Sequence, residues 1–424
     1  MASCYFSVAA AGRSSGSVSD ATANVYFIGN KIDDMQPDTS DLDRFLTDRN
    51  DDGYLIDADG EFPDQRYLSG FSAPDPFVTV YADGVHMLVS SLEYGRAKRE
   101  SNAETVARYS DFDYRKKRGQ YGQTEAKNRV IAAFLKRHGV TSVSVPERFP
   151  LSSADGLRDL GISVTVDTES MITQLRAVKT DEEIERIRTA QRANEAAMGR
   201  AEALIREATI ESDVLVHDGE VLTSERLRRE IEMELLRNDH ALDETIVACG
   251  ADAADPHDRG SGPLAPHESI IIDIFPRGKE SKYFADMTRT FVKGTPSETI
   301  QEWYDLTHTA QQAAFDVIEA GVSGGDVHTA VCDVYEAAGE PTLRSDESTE
   351  TGFIHSTGHG IGLDVHEQPR LAPGGEQLEV GHIVTVEPGL YDPAVGGVRI
   401  EDFGVVTEDG FENFTEYPKQ LVVE

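Results

Sequence analysis

The order of apolar and polar positions divides the chain into an α/β N-terminal part and a C-terminal part richer in strands. Phe77-Val-Thr-Val-Tyr81 and His86-Met-Leu-Val-Ser90 are short apolar runs on either side of Asp83-Gly84, the pattern of a hairpin. Thr124 to His138 carries helical spacing and stops at Gly139, and Val140-Thr-Ser-Val-Ser-Val145 reads as a strand. Near Met171 a new unit opens. Thr180 with Glu183 three residues on forms a capping box, which predicts a long amphipathic helix to about Ala208. Two more helical stretches are predicted at about 222–237 and 297–319, and the last 150 or so residues mix apolar strands with Gly-rich turns. Residues 1–34 are rich in Ser, Ala and Gly without periodicity and are expected to be a disordered leader, with Met35 as an alternative start. The expected division is therefore 1–34 leader, 35–169 N-terminal α/β domain and 170–424 a second, strand-richer domain.

Charge changes this picture more than length does. The 424 residues hold 76 Asp+Glu against 40 Lys+Arg, a formal net charge of −36 spread along the chain. Backbone phosphates need clustered Lys and Arg, so nucleic acid is not an expected partner. Self-repulsion of this size is tolerated at high salt, which points to a salt-loving host. No stretch approaches a membrane span, and no basic segment precedes an apolar core at the start; the expectation is a soluble, cytoplasmic protein. Cys4, Cys249 and Cys332 are odd in number and scattered, which fits neither a disulfide framework nor a zinc knuckle.

The chemistry gathers in the second half. Ile270-Ile-Ile-Asp273-Ile places one carboxylate inside an apolar strand, where an isolated charge is costly unless paired or bound to metal. Phe284-Ala-Asp286-Met-Thr-Arg-Thr-Phe291 puts Asp286, Thr288 and Thr290 on one face. His355-Ser-Thr-Gly-His359-Gly-Ile-Gly-Leu-Asp-Val-His366 holds three histidines, and its glycines disfavour a helix, so a tight strand and loop is expected. Gln, Pro and Arg follow His366-Glu367, so this is not the HExxH of a zincin. Glu387 ends an apolar strand before Pro-Gly, and Arg399 and Glu401 share a face. Four carboxylates and one histidine beside apolar strands suit Mn(II), Fe(II), Co(II) or Zn(II), and two of the carboxylates can bridge a metal pair.

Residues 171–424 resemble the pita-bread metallopeptidases: methionine aminopeptidase, prolidase, aminopeptidase P and creatinase. The resemblance rests, in the family's order, on Leu175 to Ile184, Asp286-Met-Thr-Arg-Thr, the His359 to Glu367 segment, Val386-Glu-Pro-Gly-Leu-Tyr391 and Arg399-Ile-Glu-Asp. An α/β domain ahead of these motifs is similar to the creatinase-like domain of the prolidase, aminopeptidase P and creatinase branch. The resemblance implies an α/β N-terminal domain followed by an α+β pita-bread catalytic domain. It also implies two divalent metal ions, Mn foremost and Co, Zn or Fe as alternatives, held by Asp273, Asp286, His359, Glu387 and Glu401. Asp286 and Glu401 match the bridging carboxylates, Asp273 a ligand of one metal, and His359 with Glu387 ligands of the other. A metal-bound water is the implied nucleophile, with Glu387 handling its proton. His257 matches a histidine near the leaving amine, His355 and His366 histidines around the scissile bond, and Arg399 an arginine that holds the carboxylates.

The implied reaction is hydrolysis of the Xaa-Pro bond in small peptides, by a chain expected to act as a homodimer. Asp273 and Asp286 stand 13 residues apart, two more than the family's usual form, through the turn Phe275-Pro-Arg-Gly-Lys-Glu-Ser-Lys282. That turn, and the Gly/Pro-rich surroundings of His257, favour an alternative: a related hydrolase or lyase for a non-peptide small molecule such as an ectoine-type solute. A non-catalytic relative is the third reading. Such proteins typically lose ligands, and all five positions are kept here.

Overall fold

The computed structural model describes residues 39–424. The expectations for the leader, for Met35 and for Cys4 lie outside these residues.

The N-terminal part is built on a six-stranded sheet: β1 (Gly53–Ala58), β2 (Phe77–Tyr81), β3 (Val85–Val89), β4 (Thr105–Arg108), β5 (Ser142–Pro146) and β6 (Ser163–Asp167), in the order β4-β3-β2-β1-β5-β6. β2 runs antiparallel to β1 and β3, while β1–β5, β5–β6 and β3–β4 are parallel. The predicted hairpin is β2–β3, with Asp83 at φ 52° and Gly84 at φ 130°. α1 (Gln123–Arg137) covers one face with Val130, Ile131, Phe134 and Leu135, all buried, and gives way to Gly139 at φ 77°. A positive φ there admits glycine without strain, and the helix ends where the sequence places its end.

The capping box is present as predicted: Thr180 caps α2 (Asp181–Glu207), and its N–H donates to Glu183 Oε2 at 2.8 Å. Asn194, fully buried on α2, donates to Ile274 O at 2.7 Å. The predicted helix at 222–237 is α3 (Ser224–Arg237). The one predicted at 297–319 is α4 (Glu298–Phe315), shorter at its C-terminal end. The structure adds α5 (Gly324–Ala338), capped by Ser323 and ended by Gly339 at φ 90°. Its opening Gly-Gly reads as a turn in sequence. In three dimensions a Cβ at Gly324 would stand 2.0 Å from Arg370 O, so the glycine serves close packing.

Behind these helices lie two sheets. β7 (Thr245–Cys249), β8 (Ile270–Ile274) and β9 (Met287–Lys293) are antiparallel neighbours. The second sheet contains β10 (Gly358–Gly360), β11 (Glu367–Leu371), β12 (Ile383–Val386) and the later strand Asp402–Thr407, in the order β11-β10-β12 and then that strand. β13 (Gly389–Asp392) and β14 (Gly396–Arg399) form a hairpin between the two sheets. Glu401 N–H donates to Thr288 O at 3.0 Å and ties them together. On α4, buried Gln311 donates to Val386 O at 2.9 Å and Ile400 O at 3.3 Å, bracing the ends of the strands that carry Glu387 and Glu401. Cys249 and Cys332 are free thiols, and among the described residues no helix is long and apolar enough to cross a membrane.

Candidate metal centre

The nine site residues that the resemblance implied line one cavity of about 890 Å³ in the C-terminal half: Asp273, Asp286, His359, Glu387, Arg399 and Glu401, with His257, His355 and His366. Asp273 arrives on β8, paired across the sheet with Thr288. Asp286 precedes β9 and Glu387 follows β12, while Glu401 sits between β14 and the next strand. His359 lies at a register shift between β10 and β11, and such a bulge re-aims a side chain. Gly358 and Gly360 make that strand possible, because a Cβ on either would stand 2.0 or 2.1 Å from a neighbouring carbonyl oxygen.

Arg399 Nη2 bonds Asp273 Oδ2 at 2.7 Å, and its Nε donates to Thr288 Oγ1 at 3.1 Å. Thr288 in turn donates to Glu401 Oε2 at 2.8 Å. The outer oxygens are thereby held, and the inner ones are not: Asp273 Oδ1, Asp286 Oδ1 and Glu401 Oε1 are buried without a hydrogen-bond partner. Asp286, His359 and Glu401 each offer a ligand atom within 4.8 Å of the others, and His359 Nε2 lies 3.5 Å from Glu387 Oε1. His359 Nδ1 donates to Gly360 O at 3.1 Å, which leaves Nε2 a lone pair aimed at the carboxylates.

The electrostatics favour positive charge at the site, as protons or as a bound cation. Burial, and then the charge of Glu401, push Asp286 well above the usual carboxylate range; burial and Glu387 do the same to Glu401. Burial carries Glu387 up to about 8. Burial and the nearby His366 press His359 down to about 3, so its ring is neutral, as a metal ligand must be. Four carboxylates facing one arginine and a neutral imidazole, with three oxygens unpaired, fit a divalent metal pair in donor type and number.

Two contributors to the site escaped the sequence reading. Tyr391, fully buried on β13, accepts from Arg399 Nη1 at 3.1 Å and reaches His355 Nε2 at 3.0 Å. His355 Nδ1 donates to Ser356 O at 2.7 Å, so its Nε2 accepts the tyrosine proton. Burial and then Arg399 lower His355 to about 3, and the ring is neutral. Thr288 shares the face of Asp286, as its spacing predicts, and the structure adds its role between Arg399 and Glu401. His366 stands edge-on to His359 with ring centroids 4.4 Å apart. His257 is exposed, at the mouth of the cavity. The longer turn contributes Phe275 to the lining, while Arg277 and Lys282 both reach Glu61 of the N-terminal part, at 2.6 and 3.2 Å.

Comparison with known proteins agrees with this geometry. Residues 185–408 match the model of metallopeptidase family M24, and residues 39–178 match the creatinase/prolidase N-terminal domain. An Xaa-Pro dipeptidase of Lactobacillus helveticus is 34% identical over 266 residues, 62% of this chain and 66% of that protein. An Xaa-Pro dipeptidase of Lactobacillus delbrueckii subsp. lactis is 38% identical over 182 residues, 42% of this chain and 46% of its own length. The matched stretch thus spans two thirds or less of these two relatives. The Xaa-Pro dipeptidase of Pyrococcus furiosus matches at 29% over 84% of this chain and 92% of its own. Among solved structures, the prolidase from Pyrococcus horikoshii OT3 superposes with a TM-score of 0.73 at 25% identity, covering 90% of this chain and 98% of that one. An Xaa-Pro dipeptidase from Bacillus anthracis superposes with a TM-score of 0.76 at 25% identity, covering 91% and 98%. A creatinase-type N-terminal domain ahead of a pita-bread catalytic domain is the architecture of this chain, and the chain belongs to metallopeptidase family M24.

Proposed function

We propose that this chain hydrolyses the Xaa-Pro bond of small peptides with two divalent metal ions, Mn(II) foremost, held by Asp273, Asp286, His359, Glu387 and Glu401. The observation that carries this reading is the trio of buried, partnerless carboxylate oxygens in the cavity that His359 also lines. When bound, the metals would acidify a water molecule and polarise the scissile carbonyl. Glu387, left as a carboxylate once a bound cation had displaced its proton, would take a proton from that water and pass it towards the leaving nitrogen. Arg399 and Thr288 fix the outer carboxylate oxygens so that the inner ones stay aimed. Neutral His355, held by Tyr391, and His366, edge-on to His359, contact the peptide around the bond, and His257 borders the leaving amine at the mouth. Arg370, also at the mouth and without an ion pair among the described residues, suits the C-terminal carboxylate of a dipeptide.

The relatives named Xaa-Pro dipeptidase support proline as the residue after the cleaved bond. We take 35–169 and 170–424 as the domains, working as a homodimer in the cytoplasm of a salt-adapted cell; the acidic excess supports the last point. A second reading, a related reaction on a non-peptide small molecule, draws on Phe275, which the lengthened turn places in the cavity wall.

The test is hydrolysis of Xaa-Pro dipeptides and Xaa-Pro-Yaa tripeptides with Mn(II) or Co(II), in molar and in low salt. Dipeptide cleavage makes the chain a prolidase, and cleavage of tripeptides alone an aminopeptidase P. Silence on both with two metals bound per chain transfers the reading to the small-molecule reaction. Silence without bound metal refutes the ligand set.

A further inference from the structure

Four charged side chains are buried where the N-terminal part meets the catalytic half. Glu367 opens β11 directly after His366, and its side chain has no exposure. Oε1 is held by the Arg176 guanidinium and by the Asp364 N–H at 2.9 Å; Oε2 is held by Lys179 Nζ at 2.9 Å. Arg176 turns its Nε to Asp64 Oδ1 at 3.0 Å. Asp64 belongs to the helix Pro63–Ser69 of the N-terminal part, and Arg176 and Lys179 to the segment that leads into α2. Well-packed apolar side chains would serve stability as well as such a quartet or better, so its presence calls for a role beyond holding the fold.

The position of the quartet indicates that role. Gly360 and Glu367 are partners across β10 and β11 and close the loop between them. One residue outside the loop is His359, and the last residue inside it is His366; their rings meet at 4.4 Å. The loop is packed tightly on the glutamate, since a Cβ at Gly362 would stand 2.6 Å from Glu367 Oε2. Ile361 and Leu363 bury their side chains in the core beside Ile187 and Tyr283. Glu367 is thus a charged anchor of the loop, and it is bonded to the segment joining the two halves.

We infer that Glu367 is a positioning residue, which sets the His359 and His366 rings through this loop, and that Arg176 and Asp64 carry the same hold into the N-terminal part. The N-terminal part then takes part in the reaction without placing a group among the metal ligands. The inference rests on the roles proposed above for His359 and His366, and one of its readouts does not need the substrate.

The experiment compares Glu367→Gln and Asp64→Asn in the full chain loaded with Co(II), with the exposed Glu185→Gln as control. Visible absorption of the Co(II) reports ligand geometry, and steady-state kinetics on an Xaa-Pro dipeptide separate kcat from KM. Glu367→Gln is expected to shift the Co(II) bands and lower kcat about tenfold or more, with KM within about threefold. Asp64→Asn keeps an acceptor for Arg176 and loses only the charge; the same changes are expected at roughly threefold in kcat. The control should match the parent protein. A folded Glu367→Gln with parental spectrum and kcat would overturn the inference. Should that variant fail to fold, Asp64→Asn with parental spectrum and kcat would do so. A parent protein that binds Co(II) and cleaves no Xaa-Pro peptide would defeat the substrate reading alone, because the spectral comparison still decides this one.

Discussion

Buried carboxylates occur in both halves of the molecule and are treated in opposite ways. In the N-terminal sheet, Asp57 has both oxygens on Lys127 Nζ, at 2.8 and 2.7 Å, and accepts from Ser153 at 3.0 Å. Asp167 accepts from Tyr54 at 3.0 Å and from the N–H groups of Glu169 and Met171 at 2.9 and 2.8 Å. In the catalytic half, Asp273, Asp286 and Glu401 each keep an oxygen with no partner. A satisfied buried acid holds structure, and an unsatisfied one inside a cavity is waiting for something cationic. Burial alone does not separate a structural acid from a functional one, but the state of the second oxygen does.

The largest effect should come from exchanging the two kinds. Asp286→Ala or Glu401→Ala should cut metal-dependent turnover by about a thousandfold or more and reduce bound metal, without lowering the unfolding midpoint of the metal-free chain. Asp57→Ala should leave metal content and turnover intact and cost about 2 kcal/mol in denaturant unfolding, less than a fully buried pair because Lys127 is 32% exposed. The reverse outcome in either half would break the comparison. His355→Ala should keep the bound metal by elemental analysis and slow turnover about 10- to 100-fold, since the role proposed for it is a substrate contact and not a ligand; loss of metal would make it one.

Protonation sharpens the contrast further. Cations must displace protons from groups whose carboxyls are raised, with Glu387 at about 8 and Asp286 and Glu401 shifted the same way. Mn(II) affinity should therefore climb as pH rises towards about 8, roughly tenfold per unit for each proton released. Calorimetry in two buffers of different ionisation enthalpy counts those protons. Uptake without proton release would contradict the raised carboxyls. The smallest effect belongs to the surface. Replacing exposed Glu347, Glu350 and Glu408, which make no ion pair among the described residues, by Gln should move the salt optimum for activity slightly downward. An unchanged optimum would count against salt adaptation.

Much of the site was legible because its residue types are conspicuous where they stand. An aspartate within Ile270-Ile-Ile-Asp-Ile and a glutamate at the end of Ile383-Val-Thr-Val-Glu announce themselves against an apolar background. The capping box of α2 was equally plain, since Thr180 and Glu183 are neighbours in sequence as well as in space. α5 was hidden by its opening glycines, the first of which answers to a carbonyl oxygen 46 residues away, on Arg370. Tyr391 looked like one more aromatic at a strand end, and only the hairpin β13–β14 brings its hydroxyl between Arg399 and His355. The diffuse acidity also concealed a local excess of cations: residues 96–137 hold 12 Lys and Arg against 5 Asp and Glu, a net +7 in a chain of −36.

The sequence by itself determined which side chains would be costly to bury unpaired, and that list nearly coincides with the proposed metal ligands. Patterns of one residue type at short spacing act locally, and local periodicity exposes them. Only the tertiary structure decided which oxygens of those carboxylates are taken and which are left open, because that depends on Arg399, Thr288 and Tyr391 arriving from separate strands. It likewise decided that Glu367, unremarkable beside His366 in sequence, is gripped by Arg176 and Lys179 from about 190 residues earlier. Pairing of buried charges is a property of distance in space, and the fold alone sets that distance.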